Sequence, residues 1–66
     1  MYEYIKGTLI AADPAQAVVE TGGIGYHLLI SLQTYSAIHE RKDVLLWTHL
    51  QVRDDAHLLY GFATRD

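Results

Sequence analysis

At 66 residues the chain has room for one domain at most, and although half of it is apolar, no apolar run approaches the roughly 18 residues that cross a bilayer. The first residues lack the basic-then-apolar order of a signal peptide, and the absence of cysteine excludes disulfides and thiolate metal sites, so a cytoplasmic protein with no membrane contact is expected. The net charge of −3 has the wrong sign for a domain that grips nucleic acid through counterion release. So small a domain buries little core, and support from an oligomer interface or a neighbouring domain is expected.

Tyr2 to Ala11 is rich in aromatic and β-branched residues and reads as a long first strand. Gly7 interrupts it where a strand at a barrel corner bends. Asp13-Pro14 signals a turn, and Ala15 to Glu20, around Val18-Val19, reads as a second strand. Thr21-Gly22-Gly23 supplies the positive-φ positions of a tight hairpin, after which Ile24, Tyr26, Leu28 and Ile30 alternate as a third strand. Gly23-Ile24-Gly25 lacks the further glycine, the Lys-Ser/Thr pair and the following helix of a phosphate-binding loop. Gly25 reads instead as a strand kink that lets two backbones approach.

Ser31 is placed to cap a short helix over Leu32 to Ile38, with Leu32, Tyr35 and Ile38 on one side to plug a barrel end. His39 to Asp43 is a mixed-charge loop, Val44 to Arg53 a fourth strand, and Ala56 to Ala63 a fifth. Thr64-Arg65-Asp66 reads as the beginning of a further segment. For the last hairpin, alternation favours a three-residue loop, Asp54-Asp55-Ala56. That register pairs Arg53 with His57 and turns Leu58, Tyr60 and Phe62 toward the core. Two carboxylates then stand at a tip in solvent.

Three strands, a short helix and two strands, with glycines in the first and third, is the order of an OB-fold. The fold class expected is therefore all-β, a five-stranded Greek-key barrel with a helix between strands three and four. An SH3-like barrel has no natural place for residues 32 to 38.

The candidate chemistry is sparse. His49 and His57 would share a face in the three-residue-loop register but stand roughly 13 Å apart along it, too far for one zinc. His27 and His39 lie on another strand and a loop. No metal, no cofactor and no catalytic residue is expected: Asp54, Asp55 and His57 offer a cation only weak chelation, adjacent carboxylates at a tip do not face one another across a cleft, and Ser31 and Ser36 belong to the helix. Among the aromatics, Tyr26, Tyr60 and Phe62 read as core, and Trp47, on the opposite face of its strand, as an interface anchor.

The hairpin Val52-Arg53-Asp54-Asp55-Ala56-His57-Leu58-Leu59-Tyr60-Gly61-Phe62 and the turn Gly22-Gly23-Ile24-Gly25-Tyr26, with Gly7 upstream and Thr48-His49 between, resemble the amino-terminal domain of the RuvA family of bacterial Holliday-junction branch-migration proteins. The likeness covers essentially the whole chain, making residues 1–66 one OB-fold domain. It implies that a helix-hairpin-helix domain holding DNA follows, then a domain contacting the RuvB motor, neither lying within these residues. It further implies homotetramers or octamers, and a non-catalytic subunit of a complex whose ATPase is RuvB. Asp54 and Asp55 take the place of the family's acidic pin at the junction centre, supported by Arg53, Ala56 and His57. The family more often has Glu then Asp there, so Asp54 reaches one methylene less far. Tyr2 replaces a usual aliphatic residue. Two readings of other classes stand beside this one: a generic single-stranded-nucleic-acid-binding OB module, and a purely structural oligomerisation domain.

Overall fold

A computed structural model describes residues 3–54 and 56–64; Met1, Tyr2, Asp55, Arg65 and Asp66 lie outside the described residues. Strands β1 (Tyr4–Asp13), β2 (Gln16–Thr21) and β3 (Ile24–Leu29) precede helix α1 (Leu32–Ile38), and β4 (Asp43–Val52) and β5 (His57–Phe62) follow it. The strands close into a barrel in the order β1-β2-β3-β5-β4, with β1 and β4 also paired. Every pairing is antiparallel except β3 with β5, which run parallel where Leu29 meets Tyr60. This is the OB-like all-β architecture expected.

Closure depends on β1 serving two partners. Its first half pairs with β4, from Tyr4–Trp47 to Thr8–Asp43, and its second half with β2, from Thr8–Glu20 to Asp13–Gln16. A Cβ on Gly7 would collide with the Glu20 carbonyl oxygen, so the missing side chain is what lets the two backbones meet at this corner. The register irregularity falls slightly later, between Leu9 and Ala11. At the far end of β1 the Asp13 carboxylate accepts the Ala15 and Gln16 amides at 2.8 and 3.0 Å and fixes the turn into β2. Gly22 and Gly23, with φ of 60° and 82°, make the two-residue turn from Thr21 to Ile24. Gly25 is not a close-approach position: its nearest neighbour for a Cβ is a Val18 methyl at an ordinary 3.4 Å.

The core is assembled from one face of each strand. Ile5, Ala17, Val19, Leu28, Val44 and Leu46 are buried together with Ile38 of the helix, and Leu9, Tyr26, Ile30 and Leu59 pack against them. The helix enters differently from the expected stripe of Leu32, Tyr35 and Ile38. Thr34 and Ile38, one turn apart, are its buried pair, while Leu32 is 63% exposed. Capping explains the rotation. The Ser31 hydroxyl accepts the Thr34 amide at 3.1 Å and donates to the Thr34 hydroxyl at 3.2 Å, so Thr34 is buried with its polar atoms satisfied.

The last hairpin departs from the expected register. Val52, not Arg53, pairs with His57, and the backbones of Arg53 and Ala56 bond to one another. Leu59 and Gly61 therefore face the core, and Leu58, Tyr60 and Phe62 face outward, with Phe62 42% exposed. Gly61 is the reason. A Cβ there would lie 3.0 Å from a Leu28 methyl and 3.3 Å from one of Leu46, so residue 61 is where the barrel has room for backbone only. Alternation read from side chains alone assigns that glycine to the surface, because a residue without a side chain casts no apolar vote.

Candidate functional site

The hairpin projects because β4 outlasts its partner. β1 pairs with β4 only through Trp47, with one more bond from the Thr48 amide to the Glu3 carbonyl at 3.1 Å. Beyond that, His49 to Val52 are held by β5 alone, in the pairs His49–Tyr60, Leu50–Leu59, Gln51–Leu58 and Val52–His57. At about 3.3 Å per residue, the five steps from His49, whose partner Tyr60 still pairs with Leu29 of β3, to Asp54 make an arm of roughly 16 Å. The Arg53 amide donates to the Ala56 carbonyl at 2.7 Å, and the return bond is longer, at 3.4 Å. Asp54 is not among the positive-φ residues, so the turn is not of the primed types whose twist matches the strands, which accords with the stretched return bond.

Asp54 is exposed at the end of this arm, and Asp55, the second residue of the acidic pair, lies outside the described residues. Arg53 and His57 flank the tip and are exposed, and Ala56 is half-buried. The arrangement presents negative charge on a backbone-stiffened projection.

Each face of the β4–β5 region mixes apolar with polar side chains. Outward, Tyr4, Trp47 and Phe62 form one cross-strand row, Tyr4 packing edge-on against Trp47 with ring centroids 5.5 Å apart. His49 and Tyr60 form the next row, and Gln51 and Leu58 the one beyond. Inward, Leu59 still packs against the core and Leu50 pairs with it, and beyond them Val52 is 63% exposed. Trp47 stands opposite the core set as expected. Tyr60 and Phe62 join it on the outer face, a grouping that alternation missed and that Gly61, read as inward, would have signalled.

The four histidines are dispersed. The register places His57 on the inward-phase face and His49 on the outward one, so they do not share a face. His27 meets the Gln16 side chain at 2.7 Å, and Gln16 in turn donates to Asp13 at 3.1 Å. The Ala15 amide above all, helped by the Gln16 bonds and the nearby His27, holds the Asp13 carboxyl below its ordinary value against an opposing desolvation. His39 stacks on Tyr35 at 4.9 Å. Among the described residues, no three of His, Cys, Asp and Glu gather into a metal-binding group, and no helix is long and apolar enough to cross a membrane.

A family model described as the RuvA N terminal domain matches residues 1–61. The chain is 46% identical over all of its length to the Holliday junction branch migration complex subunit RuvA of Porphyromonas gingivalis, of which it covers 33%. It is 48% identical over 98% of its length to the protein of that name from Christiangramia forsetii, covering 34% of it. Against the one from Chlorobium limicola it is 48% identical over 97% of its length, covering 32%. The chain thus spans about a third of the length of the curated relatives it matches.

Proposed function

From the membership of this chain in the family of RuvA amino-terminal domains, we propose that it is the junction-facing domain of a Holliday-junction branch-migration subunit, and that Asp54 and Asp55 are its acidic pin. The observation that supports this reading is the arm itself, a projection roughly 16 Å long that ends at the exposed Asp54. In the proposed assembly, four copies stand about a fourfold axis in the cytoplasm. A following helical domain holds the DNA arms, and a further one meets the RuvB motor. This domain contributes no catalysis.

The physics of such a ring is repulsion. Four copies of two carboxylates put eight negative charges around one point. Each carboxylate 8 Å from a phosphate is repelled by about 0.5 kcal/mol in water and about 2 kcal/mol near a protein surface. Summed over several pairs, this keeps phosphates from closing over the axis and holds the crossover open. Attraction comes from elsewhere, since the net charge here is −3. Arg53 and His57 flank the acids and support the hairpin.

The test is the double variant Asp54→Asn, Asp55→Asn in the full-length protein, read by junction geometry in solution and by branch-migration rate with the motor present. The expected result is a junction less strictly open and an altered rate at unchanged oligomeric state. Unchanged geometry and unchanged rate would overturn the role assigned to the pin. The 66-residue chain alone is expected to bind junction DNA poorly at physiological salt, and tight binding by it would contradict the division of labour.

A further inference from the structure

We propose that the hollow between the bulged stretch of β1 and the end of α1 is a binding site for a single nucleotide, its base laid against the rings of Tyr35 and His39 and its phosphate on Arg41. β4 leaves β1 early. On the side away from β2 their pairing ends at Thr8–Asp43, with one more bond from the Leu9 amide to the Lys42 carbonyl at 2.8 Å. From there to Asp13, no strand among the described residues flanks β1 on this side, and the register irregularity between Leu9 and Ala11 leaves Ile10 55% exposed. The chain leaving α1 turns back over this edge on a pinned backbone. The His39 amide donates to the Tyr35 carbonyl and the Arg41 amide to the Ile38 carbonyl, both at 2.9 Å. The result is a hollow of about 220 Å³ with Leu9 to Ala12 along one side and Tyr35, His39 and Arg41 along the other.

Each side of the hollow supplies one part of what a nucleotide needs. Tyr35 and His39 stack with ring centroids 4.9 Å apart and planes 22° from parallel, a platform that a further planar ring extends. Stacking on aromatic rings accepts every base. The flank of β1 that no strand covers carries main-chain donors and acceptors for the edge of that base. Arg41 offers a planar fork matched to phosphate oxygens. The net charge of −3 does not act here, because no carboxylate lines this hollow; Asp13 and Asp43 line neighbouring ones instead. The hollow is smaller than the roughly 300–1,000 Å³ of sites for drug-sized ligands, which suits one base and excludes a stretch of strand. The acidic pin is too distant to repel a phosphate at this end of the barrel. Nine steps along β4, or roughly 30 Å, separate Asp43 from Val52, several times the Debye length of about 8 Å at physiological salt. The site stands on the helix side of the barrel and not on the strand 2–3 face with which OB-folds hold oligonucleotides.

The experiment is saturation-transfer NMR on the full-length protein, titrated with deoxyadenosine monophosphate, with deoxyadenosine, or with the trinucleotide of three deoxyadenylates. The variants are Arg41→Gln and His39→Ala, both at exposed positions. Lys42→Gln is the control, because it removes the same charge next door without touching the lining. Circular dichroism reports that each is folded, and either variant carries the test if the other is not. His39→Ala should weaken monophosphate and nucleoside alike, by about tenfold. Arg41→Gln should weaken the monophosphate by about tenfold and leave the nucleoside unchanged, while Lys42→Gln changes neither. Tighter binding of the trinucleotide, lost in the same two variants, makes the occupant an unpaired nucleotide of a strand; tighter binding of the monophosphate makes it a free nucleotide. No saturation transfer to millimolar monophosphate overturns the proposal. So does binding that Arg41→Gln and His39→Ala leave intact, which puts it elsewhere in the protein, and so does equal weakening by Lys42→Gln, which reduces it to general charge attraction.

Discussion

Gly61→Ala separates the two possible registers of the β4–β5 hairpin by the sign of its effect. In the observed register the new methyl group would lie 3.0 Å from Leu28 Cδ2, 3.3 Å from Leu46 Cδ1 and 3.5 Å from Ile30 Cγ2. Leu28 and Leu46 are both 0% exposed, so neither has free space to retreat into. Overpacking of this kind costs about 1–3 kcal/mol. Removing a glycine from a strand interior recovers about 0.5–1 kcal/mol. The net expectation is a loss of about 1–2 kcal/mol, from a total of roughly 3–10 kcal/mol for a domain of this length. At about 4–8 °C per kcal/mol the melting temperature should fall by roughly 5–15 °C, measured by circular dichroism at fixed protein concentration. In the alternative register residue 61 faces solvent, and alanine should leave the melting temperature unchanged or raise it. That outcome would refute the assignment of the core face. A second variant sharpens the test. Leu28→Val removes a methylene beside position 61, so the double variant should lose less than the sum of the singles, whereas additive losses would mean that the two side chains do not meet.

Three smaller effects follow from the same structure. Ser31→Ala removes the hydroxyl that caps α1 and leaves the buried Thr34 amide without its acceptor, so a loss of about 1 kcal/mol is expected in chemical denaturation. Gly23→Ala meets nothing within 4 Å but must hold φ at 82°, so it should lose about 1–2 kcal/mol through backbone strain alone; an unchanged denaturation midpoint would mean the turn relaxes. Asp13 is held chiefly by the Ala15 amide with its carboxyl below the ordinary value. Its folded value being the lower one, its contribution is complete above the unfolded carboxylate range and lost as pH falls through the folded value. The melting-temperature gap between wild type and Asp13→Ala should therefore be present at neutral pH and close in acid, and a gap that widens in acid would reverse the sign argued here.

Much of the architecture was legible because period-two alternation and turn chemistry are local properties. Gly22-Gly23 between two alternating runs is enough to specify a tight hairpin, Ser31 before an apolar segment is enough to start a helix, and the order of elements narrows the fold to one small barrel. The same holds for the family likeness. What local pattern does not carry is phase, meaning which of two alternating sets turns inward. On β5 both sets are apolar, Leu59 with Gly61 and Leu58 with Tyr60 and Phe62, so composition favours the larger side chains and assigns them to the core. Tertiary packing decides otherwise, because β3 and β4 bring Leu28 and Leu46 to the same point and leave room there for a glycine alone. The helix repeats the lesson, since Thr34 replaces Leu32 on the buried side once Ser31 satisfies its hydroxyl. A strand's own residues thus determine that it alternates and where it turns, while the volume left by its neighbours determines which way it faces, and with it which aromatics are available at the surface.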